Sequence, residues 1–185
     1  MTTPLQATLG RLTDPVDAAR DHVQGPWAAP VTLVEYGDYQ CPYCRQAHPV
    51  VQQVLAERPD TVRFAYRHFP LTNVHPYAEF AAEAAEAAAA RGRFWEMHDW
   101  LFEHQDQLSP PALAMAARAL DLPAGEVQCE INEHVYLDRI REDFVGGVRS
   151  GVNGTPTFFV NGVRHEQGYA LSELVHAVDV AANGA

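Results

Sequence analysis

Cys41 and Cys44 stand three positions apart, just after an apolar, β-rich segment and at the start of text that reads as a helix. Val31-Thr-Leu-Val-Glu-Tyr36 is nearly all apolar, as a strand buried on both faces is. Gly37-Asp38 breaks it. The helix expected over Pro42 to Glu57 opens with a proline where a missing N–H costs nothing, carries Val50, Val51, Val54 and Leu55 on one stripe, and contains Pro49 as a kink. A strand that delivers a C-x-x-C pair to a helix N-terminus limits the chain to a few α/β arrangements, and to redox or metal chemistry.

The remaining text fills in the order. Thr61 to Phe69 alternates like a half-buried strand stopped by Pro70. Ala78 to Ala90 is a run of strong helix formers ended by Gly92, read here as helix propensity and nothing more. Phe94, Met97 and Leu101 keep helical spacing, Ser109-Pro110 is a start signal, and Leu137, Ile140, Phe144 and Val148 mark another helix, about four or five helices in all. Thr157-Phe-Phe-Val160, Asn161-Gly162 and Val163-Arg164 form a strong hairpin signal, and Leu171, Leu174, Val175 and Val178 mark a last helix. The organisation expected is an arm over 1–29, a small α/β core over 30–74 and 152–185, and an inserted helical subdomain over 75–151.

Composition excludes several classes. The 185 residues carry 24 acidic and 13 basic side chains, a net charge of −11, so the basic patch that nucleic acid requires is not expected. No apolar run is long enough to enter a membrane. The amino terminus is polar and broken by prolines, unlike a secretory leader, and the expected location is cytoplasmic, where a C-x-x-C pair is more often catalytic or metal-binding than structural.

A thiol in the first turn of a helix has its thiolate favoured by unpaired N–H groups and the positive end of the dipole. Cys41 can then attack a disulfide, and Cys44, one turn in, can resolve the mixed disulfide. Pro42 adds rigidity and Tyr43 brings no formal charge. A zinc site is the alternative, but it needs two more ligands. Cys129 is the only other thiol, and the nine histidines form no H-x-x-x-H cluster, so no metal is expected. Glu35, on an apolar strand six residues before Cys41, is a candidate for the group that takes and returns the Cys44 proton, with a partly exposed strand-end carboxylate as the alternative. Pro156, in Gly154-Thr155-Pro156-Thr157, belongs at the first position of its strand, where a cis bond suits a tight turn. His68 is either a solvated strand-end histidine or a modulator of Cys41 or Glu35. Cys129 reads as structural or incidental, and Phe94, Trp95, Trp100 and Phe102 as core of the helical block.

The strand with Glu35, the C-P-Y-C pair and its helix, the G-T-P-T-F-F-V-N-G segment and the helices between them resemble the DsbA family of thioredoxin-fold thiol–disulfide oxidoreductases over residues 30 to 182. The resemblance implies a thioredoxin fold with a helical insertion, Cys41 as nucleophile, Cys44 as the buried resolving thiol, Glu35 as the carboxylate beneath them, and a cis Pro156 facing the pair. Thr155 then tunes the thiolate and presents backbone groups to a substrate chain. Asp21-His-Val-Gln-Gly-Pro26 ahead of the first strand is similar to cytoplasmic members, including thioredoxin-like domains fused to sodium/proton antiporters. Pro-Tyr lacks the histidine of the strongest oxidants, so a reductase or isomerase fed by a thioredoxin- or glutathione-type donor stands beside an oxidase. The expected substrates are protein or small disulfides, and no cofactor beyond the cysteine pair is implied. A non-catalytic regulatory or binding module on the same fold is the rival.

Overall fold

The computed structural model describes residues 10–184; the first nine residues of the expected arm, Pro4 among them, lie outside the described residues. The described chain divides into two compact units. One holds the residues up to Gly37, Gln46–Arg67 and those from Val145 onward, and the other holds Asp38–Arg45 and His68–Phe144.

The first unit is built on a five-stranded sheet in the order β1-β3-β2-β4-β5, formed by β1 (His22–Gln24), β2 (Val31–Gly37), β3 (Val62–His68), β4 (Thr157–Val160) and β5 (Val163–Arg164). β2 occupies the centre, which is why Val31, Leu33, Val34 and Tyr36 are all fully buried. β4 lies antiparallel to β2 with Glu35 opposite Phe158 and Tyr36 opposite Thr157. Asn161 and Gly162 both have positive φ, at 46° and 76°, which makes the tight β4–β5 connection a primed hairpin turn. The last position of β2 takes a glycine, since a Cβ at Gly37 would stand 2.5 Å from the Tyr66 ring. Helix α1 (Pro42–Glu57) runs through Pro49 without interruption, and Arg58 at its end holds Asp179 of the C-terminal helix through two hydrogen bonds, at 2.8 and 2.9 Å.

The described part of the arm joins the sheet, which its prolines and lack of periodicity do not signal. His22–Gln24 pairs antiparallel with Phe64 to Tyr66, while at the other side Arg11 bridges Val163 and the Leu12 N–H reaches the Gly162 carbonyl at 2.9 Å.

The second unit consists mainly of helices: α2 (Ala78–Ala89), α3 (Phe94–Glu103), α4 (Pro110–Ala119), α5 (Ala124–Asn132) and the first part of α6 (Leu137–Arg149). The helix that ends the chain is α7 (Leu171–Asn183). α2 packs against α3, α4 and α5 at once, and its small side chains permit that crowding: Ala81, Ala84, Ala85, Ala87 and Ala88 are fully buried. Helix propensity therefore understates this segment. It also buries two carboxylates. Glu83 accepts the Tyr136 N–H at 2.9 Å and Glu86 lies 2.8 Å from His68 Nε2.

Candidate active site

Cys41 caps α1. Its N–H reaches back to the Asp38 carbonyl at 3.1 Å, and its own carbonyl accepts the Arg45 N–H at 3.1 Å, so the C-P-Y-C pair occupies the first helical turn. Unpaired N–H groups in such a turn stabilise negative charge, thiolate included. Cys41 is 3% exposed and Cys44 is fully buried, whereas Pro42 and Tyr43 between them face solvent. Both cysteines are thus buried, and burial does not separate an attacking thiol from a resolving one.

Two polar side chains of the same unit fix the loop that leads into the helix. The buried Asp38 carboxylate accepts the Gln40 N–H at 2.7 Å and the Leu71 N–H at 2.8 Å, and stands 2.8 Å from His75 Nδ1. The Asp38 backbone N–H points at Cys44 Sγ from 3.5 Å. Gln105, after α3, donates through one amide nitrogen to the carbonyls of Tyr39 and Cys41, both at 2.8 Å. Neither side chain emerges from the sequence as functional. Asp38 had one legible signal, an aspartate two residues before the N–H it accepts, as in an Asx-turn; Gly37-Asp38 reads otherwise only as a strand break.

Glu35, Thr155 and Pro156 belong to the sheet unit. Glu35 is 2% exposed, so the partly exposed strand-end alternative is corrected. Its register opposite Phe158 puts it at the end of the β2–β4 pair where the Thr155–Pro156 segment enters the sheet, and the Thr155–Pro156 bond is cis. Chain connectivity carries the same end of β2 into Asp38 and the cysteine loop. His68 is buried against Glu86, and its N–H is bound to the Asp143 carboxylate at 3.0 Å, so a solvated histidine is also corrected. Cys129 is exposed on α5. Phe94 and Phe102 are buried, as core residues of the helical block are, with Trp95 and Trp100 half-buried.

A family model described as thioredoxin matches residues 17–180. The chain belongs to the thioredoxin family. Within it, the Na(+)/H(+) antiporter NhaA 3 of Salinispora tropica is 52% identical over 164 residues, 89% of this chain and 25% of that protein. The Na(+)/H(+) antiporter NhaA 1 of Salinispora arenicola is 51% identical over 170 residues, 92% of this chain and 26% of that protein. The thioredoxin-family chain thus spans about a quarter of the length of the curated relatives it matches. Among solved structures, a thioredoxin-like oxidoreductase from Silicibacter pomeroyi aligns at TM-score 0.80 with 30% identity, over 95% of this chain and 98% of that one. Oxidised BdbD from Bacillus subtilis aligns at TM-score 0.82 with 22% identity, over 94% and 99%. Wolbachia pipientis alpha-DsbA1 aligns at 0.79 with 20% identity, over 98% and 97%. The fold is the DsbA-like thioredoxin fold. Among the described residues no helix is long and apolar enough to cross a membrane.

Proposed function

We propose that this thioredoxin-family chain is a thiol–disulfide oxidoreductase working through Cys41 and Cys44. The Cys41 thiolate attacks one sulfur of a substrate disulfide, whose S–S bond breaks; the departing sulfur leaves as a thiolate and takes up a proton, and a mixed disulfide remains. Cys44 then loses its proton and attacks the Cys41 sulfur, which closes the Cys41–Cys44 disulfide and releases the second substrate sulfur as a thiolate. Two electrons pass from the dithiol to the substrate, and the reverse sequence oxidises a dithiol.

The observation that carries this reading is the placement of both cysteines in the first turn of α1, with a backbone N–H aimed at Cys44 Sγ. Glu35, buried on the strand that leads into the pair, takes the part of proton carrier for Cys44. Pro42 and Tyr43 tune the pair, Thr155 and Pro156 receive the substrate backbone, and His68 modulates the site through its neighbours. The substrates are protein or small disulfides in the cytoplasm. Electrons come from a thioredoxin- or glutathione-type donor in the reductase or isomerase direction, and no metal or organic cofactor is required.

Reduction of insulin and refolding of a scrambled disulfide protein test the proposal. Activity lost in Cys41→Ser and mixed disulfides trapped by Cys44→Ala support it; an inactive wild type sinks it. One observation favours a second reading. The relatives are named as antiporters and this chain spans about a quarter of them, as a regulatory thioredoxin-like module of a larger transport protein does. An inactive wild type whose cysteine pair still cycles between dithiol and disulfide favours the module.

A further inference from the structure

We propose that Asp38 is a positioning residue for the thiol chemistry, holding the Cys44 sulfur through its own backbone N–H and anchored in turn by His75; this rests on the thiol–disulfide reading above. Asp38 touches both cysteines through its main chain, donating to Cys44 Sγ at 3.5 Å and accepting the Cys41 N–H at 3.1 Å. Its side chain faces the other way, toward the loop that follows β3, where Leu71 N and His75 Nδ1 both meet Oδ2 at 2.8 Å while Gln40 N meets Oδ1. An ionised carboxylate this deeply buried is tolerated only when its lone pairs are met by donors. These three contacts therefore fix the side chain, and with it the direction of the backbone N–H.

An N–H aimed at sulfur favours the thiolate over the neutral thiol. Cys44 is a thiol that can lose its proton only in the reduced protein, and there its sulfur is a better acceptor than a disulfide sulfur, so the contact stabilises the dithiol relative to the disulfide and makes the pair a weaker reductant. His75 is half-buried, within reach of solvent. Gln105 grips the same loop separately, through the carbonyls of Tyr39 and Cys41, so a change at Asp38 leaves that hold in place.

Asp38→Asn keeps one acceptor oxygen but turns an NH2 group toward the Leu71 N–H and His75, which breaks the anchor. The test uses the full chain in a Cys129→Ser background and measures the equilibrium in which the dithiol and oxidised glutathione give the Cys41–Cys44 disulfide and two reduced glutathiones. Asp38→Asn is expected to raise that constant about tenfold, about 30 mV toward the reducing side for a two-electron couple. His75→Ala is expected to move it the same way. His75→Asn, which keeps an N–H donor in the place of Nδ1, is expected to restore it to within about twofold. If Asp38→Asn does not fold, the His75 pair decides alone. Constants within twofold of wild type in all folded variants, with wild type still reducing insulin, overturn the role of Asp38 and leave the oxidoreductase reading standing. A wild type that neither equilibrates with glutathione nor reduces insulin overturns both.

Discussion

The Arg67 guanidinium holds the Asp21 carboxylate through two parallel hydrogen bonds, Nε to Oδ1 at 2.7 Å and Nη2 to Oδ2 at 3.0 Å, with both side chains buried. Its remaining donors reach the Tyr36 hydroxyl at 3.0 Å and the carbonyls of Asp14 and Pro15 at 2.9 and 3.3 Å, so one side chain from β3 fastens the arm at Asp14, Pro15 and Asp21. Removing one partner of a buried pair strands the other charge, at a cost of about 3–5 kcal/mol. Arg67→Ala is expected to lose that much in equilibrium urea denaturation. Arg67→Lys recovers little of it, since an ammonium cannot reproduce the fork.

Two carboxylates set opposite limbs of the stability–pH curve. Burial alone would raise the Asp21 carboxyl, but the Arg67 hydrogen bond and charge outweigh it and hold the group below its ordinary 3.8. Its contribution is present above that value and lost as pH falls through the depressed one. Burial pushes Glu83 above 4.5 despite the Tyr136 N–H, so its contribution is full below 4.5 and lost as pH rises through the raised value. Asp99, raised chiefly by burial and then by Glu103 and Glu96, acts in the same sense as Glu83. Melting temperatures across pH are expected to fall on both sides of a mildly acidic optimum, and Glu83→Gln is expected to flatten the upper limb while leaving the acid limb in place.

The crowding around α2 leaves no room for added volume. Ala84 is fully buried where α2 meets its neighbours, so Ala84→Leu is expected to destabilise by about 1–3 kcal/mol through overpacking, despite leucine's good helix propensity. Chemical denaturation of the variant reads this directly, and an unchanged midpoint would mean a loosely packed interior.

The proton-carrier role given to Glu35 predicts that Glu35→Gln slows disulfide exchange by about a hundredfold, the low end for general acid–base catalysis, and flattens its pH profile. Thermal stability should hold or rise slightly, since a neutral amide is easier to bury than a carboxylate. A rate loss matched by an equal loss of fold, read by circular dichroism on the same samples, would assign Glu35 to structure instead.

What was legible in the sequence follows from local rules. Val31 to Tyr36, the Asn161-Gly162 turn and the Pro42 start each declare their element within a few residues, and the order of those elements resembles one family. The rest depends on contacts between distant residues. His22–Gln24 forms a strand because β3 offers it an edge and Arg67 fastens the residues around it, neither of which the arm's composition records. His68, exposed by its place at a strand end, is covered because Glu86 and Asp143 come from elsewhere to satisfy it. Glu83 and Glu86 look like the solvated face of an alanine helix until three other helices close over it. At the cysteines, Gln105 binds backbone carbonyls distant in the chain and Asp38 holds Leu71 and His75, contacts that leave no mark on residue type beyond the Asx-turn at Asp38.

The arm bears also on how the chain keeps company with copies of itself. β-Sheets recruit strangers through exposed edges, and the usual defences are short edge strands or a covering segment. Here one stretch of chain serves both borders: three residues finish the β3 side, and Arg11 and Leu12 lie along the β5 side. A strand arriving from another molecule finds little ladder to extend, so many copies can be held close together without being stitched into a common sheet.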